Sequence, residues 1–151
     1  MPTTTSGVHA WINALADALA LRANLISWNV LITTGFVSDT DRRDAIVVGD
    51  FIQGEQEWSM LGNRRRDERF RVSGAIWVTR AGKGDTVIRA ARERAIAILA
   101  EIEDELRVSP TVTATVKVAA LTRYEVDQGV SSDGRWCEVD WEVSNWKDLP
   151  S

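Results

Sequence analysis

The stretch E68-R-F-R-V-S-G-A-I-W-V-T-R80, followed by A81-G-K-G84 and the run D85-T-V-I-R-A-A-R-E-R-A-I-A-I-L-A-E-I-E-D-E-L106, decides the fold. In its first part Phe70, Val72, Gly74, Ile76 and Val78 alternate with Arg69, Arg71, Ser73, Ala75 and Trp77. Strict alternation is the mark of a strand with one buried face. The first set is read as the core face. Two glycines then break the strand, and Asp85 is read as the cap of a long helix. Val87, Ile88, Ala91, Ala95, Ile98, Leu99, Ile102 and Leu106 recur at helical spacing and form one apolar stripe. Ser109-Pro110 ends that helix, because a residue before proline is pushed out of the α region.

Outward from this core the remaining elements are weaker. Val8, Trp11, Ile12, Leu15 and Leu19 with alanine filling predict a helix over about Gly7 to Arg22, capped by Thr5 or Ser6, after a loose terminus at 1–6. Trp28 to Thr33 reads as a short strand. Asp39 to Asp44 carries five charges in six residues and reads as an exposed loop. Ala45 to Val48 and Gln56 to Leu61 read as two strands around a turn at Gly49 to Gly54, and Gly62 to Asp67 as a polar loop. Thr111 to Leu121 alternates, with Val112, Ala114, Val116 and Val118 on one side. Asp133-Gly134 signals a hairpin. Arg135 to Trp146 is the last strand, with Cys137, Val139, Trp141 and Val143 facing the core and Glu138, Asp140, Glu142 and Ser144 facing away. The C-terminus at 147–151 reads as loose. Strands that do not alternate with helices predict an α+β fold: a mostly antiparallel β-sheet with two helices packed on one face, in a single domain over 1–151.

Composition narrows the function. The chain has 151 residues, a net charge of −4, one Cys and one His. An acidic chain has no global basic field to recruit nucleic acid or anionic membrane. No stretch has the length of uncharged apolar residues that a membrane span needs, and residues 1–10 lack the pattern of a signal peptide. One Cys and one His cannot build a Cys/His zinc site, and a catalytic triad would have to use His9 near the terminus. The turn Gly82-Lys83-Gly84-Asp85 lacks the spacing of a phosphate-binding loop. Neither catalytic, cofactor nor metal residues are therefore expected, and the chain is read as not an enzyme.

Four features point to contact with protein. Arg64, Arg65, Arg66, Arg69 and Arg71 form the one dense basic patch, with Asp67 and Glu68 inside it to reduce its field. Glu138, Asp140 and Glu142 project together from one strand face and repel one another unless cations answer them; Arg69 and Arg71 on another strand could do so. The long helix carries Arg89, Arg92 and Arg94 in its first half and Glu101, Glu103, Asp104 and Glu105 in its second, against the helix dipole. A neighbouring chain could supply the compensation, basic end against acidic end, as in a head-to-tail ring. Seven Trp against three Phe and one Tyr is an odd balance. Trp11 and Trp141 fall on core faces, Trp58 and Trp77 lie on or near the sheet, and Trp136 and Trp146 fall on the side away from the core. Exposed Trp on a sheet face is typical of an interface. The candidate subunit interface is Arg64, Arg65, Arg66, Arg69, Arg71, Trp136, Glu138, Asp140, Glu142 and Trp146.

Trp58-Ser59-Met60-Leu61-Gly62, Arg66 to Val72 and Gly74 to Val78, the Gly82-Lys83-Gly84-Asp85 turn into an Ala/Ile helix, Pro110-Thr111-Val112 before a Val-rich strand, and a closing acidic hairpin together resemble the tail terminator (tail-completion) proteins of long-tailed bacteriophages, especially those of actinobacterial phages. The resemblance runs from about Val8 to Trp146. It implies a structural virion protein of the head–tail junction, assembled in the host cytoplasm. Such a protein forms a hexameric ring, caps the tail tube, stops its polymerisation and joins it to the head-side connector. The implied partners are further copies of itself, the major tail tube protein and the connector or stopper protein. DNA passes through the lumen without specific binding, and no membrane or cofactor is involved. Another neck or minor tail component is the nearest alternative, and a small-ligand-binding α+β domain a more distant one.

Overall fold

A computed structural model describes residues 6–35, 43–60, 65–132 and 134–149, with the side chains of all of these except 57–60, 65–66 and 149. The elements are α1 (Val8–Ala20), α2 (Ala23–Ser27), β1 (Leu31–Thr33), β2 (Ala45–Met60), β3 (Arg65–Ala81), α3 (Asp85–Val108), β4 (Val118–Ser131) and β5 (Gly134–Leu149). The strands form one sheet in the order β1-β2-β3-β5-β4. β1 runs parallel to β2 and every other pair is antiparallel. The fold is α+β, with α1 and α3 on the same side of the sheet.

The β3 alternation sets the layers. Phe70, Val72, Ile76 and Val78 are buried, and so are Cys137, Val139, Trp141 and Val143 beside them on β5. The buried stripe of α3 (Ala91, Ala95, Ile98, Leu99, Ile102, Leu106) lies over them, and Trp11, Ile12, Leu15 and Leu19 of α1 complete the core. Trp11 meets Phe70 edge-on, with ring centroids 6.0 Å apart. Gly74 interrupts the core set because Trp141 lies across it. A Cβ there would stand 2.2 Å from Trp141 Cζ2 and 2.3 Å from the Val47 carbonyl oxygen.

Several sequence expectations are corrected. The two strands read at Ala45 to Val48 and Gln56 to Leu61 are, as far as Met60, one strand, β2; Leu61 lies outside the described residues. Gly49, with φ at 89°, forms a bulge and not a turn, because the long β3 supplies ladder partners on both sides of it. Arg65 to Asp67 likewise belong to β3 and not to a loop. The strand read at Trp28 to Thr33 is shortened to β1, and α2 precedes it. The strand read from Thr111 begins only at Val118. Val112, Thr113 and Ala114 take left-handed backbone angles, and Ala119 N–H donates to the Pro110 carbonyl to close the turn. Val112 and Val116 are buried, but Ala114 and Val118, read on the same side, are exposed, because the turn does not keep a strand's alternation. Gly84, not Asp85, is the N-cap of α3, and Asp85 pairs with Arg89 one turn on. At α1 the N-cap residue is Gly7; Ser6 Oγ accepts the Val8 N–H at 3.3 Å, and buried Glu68 Oε1 accepts the Gly7 N–H at 2.7 Å. Glu68 therefore belongs to the interior and not to the basic patch. Asp44, read as the end of an exposed loop, is buried and accepts two hydrogen bonds from Arg80, at 2.7 and 3.0 Å. β4 and β5 pair as far as Ser131 and Gly134. The expectations at 1–5, 39–42, 62–64 and 150–151, and at Asp133 of the hairpin signal, lie outside the described residues.

Candidate subunit-contact surface

The helices cover one face of the sheet, and no helix among the described residues covers the other, where Ala45, Val47 and Ala75 are nonetheless buried. On that open face the ladders align side chains in rows across the strands. One row is Phe51–Ser73–Glu142–Arg123. To one side lie Gln53–Arg71–Ser144–Ala120 and then Glu55–Arg69–Trp146–Val118. To the other lie Val47–Ala75–Asp140–Glu125 and then Ala45–Trp77–Glu138–Asp127.

The strand alternation thus places Glu138, Asp140 and Glu142 together on the open face, as read. β4 adds Glu125 and Asp127 beside them, and the β2 bulge adds Asp50. None of these three follows from the sequence patterns used, because the register of β4 depends on a bulge between Leu121 and Arg123. Burial pushes the Glu138 carboxyl up, and the charges of Asp140 and Asp127 add to this. A hydrogen bond from the Trp77 indole N–H, at 3.0 Å, holds it back. Asp50 is also pushed up, by burial and then by Asp140. The acids crowd one another because few cations answer them.

Arg69 and Arg71 do not answer the ladder. Their rows set them opposite Trp146 and Ser144, four and two residues from Glu142, so the expected cross-strand pairing is absent. Both are exposed. Neither has an ion pair or a side-chain hydrogen bond among the described residues. Arg123 is the cation opposite Glu142, and it pairs with Glu125. Of the other basic candidates, Arg64 lies outside the described residues, and Arg65 and Arg66 are placed by their backbone only.

The two outward tryptophans are half-buried in different ways. Trp136 lies against Gly129, where a Cβ would stand 2.5 Å from its ring. Trp146 lies beneath Lys117, whose Nζ is 4.2 Å from the ring centroid, and its Nε1 finds no partner among the described residues. Trp146, Arg69, Arg71, Gln53, Ser144 and Val118 line an open groove of about 480 Å³.

The charge order of α3 has its answer inside the chain, which corrects the expectation that a neighbour supplies it. Arg22 Nε donates to Glu101 at 2.6 Å, Nη2 to Asp104 at 2.5 Å and Nη1 to Glu105 at 2.8 Å. Asn24 adds a bond to Glu101 at 2.7 Å. Burial alone would lower the Arg22 pKa, but these three carboxylates raise it. At the other end Asp44 lies 3.8 Å from Arg94, and Trp28 stacks under the Arg94 guanidinium at 4.5 Å. Partners 79 residues apart in sequence leave no local pattern to read.

Both lateral edges of the sheet are partly bare. β1 pairs β2 only over Ala45–Val47, so the rest of β2 is an edge; Asp50 to Gln56 are exposed, including Phe51 and Ile52. On the far side β4 pairs, among the described residues, with β5 alone. Val118, Tyr124, Val126 and Val130 are exposed there. Among the described residues no cluster of three His, Cys, Asp or Glu could hold a metal, and no helix is long and apolar enough to cross a membrane. The chain matches no protein-family model, and no curated protein is significantly similar to it.

Proposed function

We propose that this chain is a ring-forming structural subunit, the tail terminator of a long-tailed bacteriophage. One observation carries the ring. The two bare edges stand on opposite sides of one sheet, and each exposes large apolar residues, Ile52 on one and Tyr124, Val126 and Val130 on the other. Such side chains on an uncovered edge invite another chain. A contact that joins one edge of a copy to the other edge of the next is heterologous, and a heterologous contact closes into a ring when its rotation closes. The resemblance in element order supplies the rest of the reading: the ring stops the tail tube, binds the tube protein on one side and the head-side connector on the other, and lets DNA through. A chain of net charge −4 gives a lumen little hold on phosphate.

The test is a virus in which this gene is interrupted. Tubes of uncontrolled length, restored to one length when the chain is supplied, support the reading. Tubes of normal length in its absence overturn it. A labelled chain seen away from the head–tail junction moves it to another neck or tail component.

A further inference from the structure

The open face is self-complementary. Count rows from Phe51–Ser73 along the strands. Two and four residues one way stand Arg71 and Arg69, both without partners among the described residues. Two and four residues the other way stand Asp140 and Glu138, crowded by like charges. The centre row holds Phe51, 63% exposed. We propose that this face docks on the same face of a second copy, about a two-fold axis that runs across the strands at the Phe51–Ser73 row.

That axis lays each strand over its own counterpart, running the opposite way. Arg69 then sits over Trp77 of the second copy with Glu138 on the next strand. Arg71 sits beside Asp140, and the Ser144 hydroxyl faces the same carboxylate. Each contact is made twice. Phe51 meets Phe51 at the axis, on the β2 margin of the contact. Two like-charge approaches, Glu142 against Glu142 and Arg123 against Arg123, lie side by side in the centre row, so each carboxylate has a guanidinium next to it. Four strands about 4.8 Å apart over nine residues of about 3.3 Å present about 600 Å² of projected area per copy. Ala45, Val47 and Ala75 within that area are already buried, so the contact is smaller than the ~800 Å² per partner of a standard stable interface and its charge pairing carries the match. Aligned packing of two sheets is a common arrangement.

A two-fold contact is closed, so it cannot build the ring. It is independent of the edge contacts. Alone it gives a pair, and added to rings it joins two of them back to back. The test is a Ser73→Cys variant treated with a short bismaleimide. Cys137 is buried, so the introduced thiol is the reactive one. Sheets packed face to face are about 10 Å apart, too far for a disulfide and within reach of such a linker. The expected result is a two-chain product in high yield at low ionic strength, falling as salt is added. Adding Arg69→Glu and Arg71→Glu should lower the yield at least about tenfold, and mixing that variant with one carrying Glu138→Arg and Asp140→Arg should restore it. Phe51→Lys, at an exposed position, should lower it without changing the melting temperature. An introduced thiol that reacts fully with a monofunctional maleimide but gives no two-chain product overturns the proposal. So does a yield indifferent to the Arg69/Arg71 reversal in a folded protein. Loss of rings with the cross-linked pair still formed would count against the ring alone.

Discussion

Arg22→Met tests whether the acidic end of α3 is answered within the chain. The substitution keeps much of the apolar stem and removes the guanidinium, which leaves Glu101, Asp104 and Glu105 facing one another near the negative end of a helix. The Arg22–Glu101 and Arg22–Glu105 pairs have side chains only 13–18% exposed and are hydrogen-bonded as well as charged. Surface pairs contribute about 0.2–1 kcal/mol, and charge-assisted bonds stand at the upper end, so these two pairs together are worth about 1–2 kcal/mol. In a domain of this size that is a fall in melting temperature of about 3–6 °C. The pH dependence has a definite sign. Burial pushes Glu101 up, but bonds from Asn24 and Arg22 outweigh it and leave the carboxyl below its usual range; Asp104 is lowered by Arg107 and then Arg22. Carboxyls lowered in the folded state stabilise it above the unfolded value, near 4, and lose that contribution as pH falls through the folded value. Urea unfolding of both proteins should therefore show the full difference at pH 7 and a shrinking one below about pH 4. Arg22→Lys, which keeps the charge and loses the fork, should fall between. The difference should be the same at high and low protein concentration. A variant within about 0.5 kcal/mol of the parent at pH 7, the range of an ordinary surface substitution, would refute the clamp.

Three further outcomes follow from the packing. Gly74→Ala drives a methyl into Trp141 and the Val47 carbonyl and should cost about 3 kcal/mol or prevent folding, read by thermal melting; an unchanged melting temperature would mean that Trp141 does not lie across the glycine. Asp44→Asn removes the buried charge that receives Arg80 and stands near Arg94, and should cost about 2–3 kcal/mol in denaturant unfolding. The Cys137 thiol is pushed up by burial, with Arg92 opposing and Asp127 adding, so it should resist a disulfide reagent at pH 8 in the folded protein and react at once in guanidinium.

Long, regular signals were legible in the sequence and long-range ones were not. β3 and α3 each carry one unbroken period, so their buried faces could be read residue by residue. Gly49 misled because a glycine looks like a turn locally, whereas the partner strand made it a bulge. Left-handed angles at Val112 to Ala114 contradict every local preference of those residues, so the late start of β4 left no trace. At the surface, alternation alone put Trp136, Trp146 and the Glu138–Glu142 ladder on one face. The acids that join them from β4, and the offset that keeps Arg69 and Arg71 away from them, depend on strand register. The Arg22 and Asp44 pairings join distant elements, so the charge order of α3 looked like a need for a neighbour when it was already met.

Native mass spectrometry of the purified chain at rising concentration tests self-association into a ring most directly. A ring-forming subunit gives a species of six times the 16.8 kDa chain mass, or twice that where open faces also join. A chain that stays at 16.8 kDa, or stops at a pair, to the highest concentration would contradict the ring.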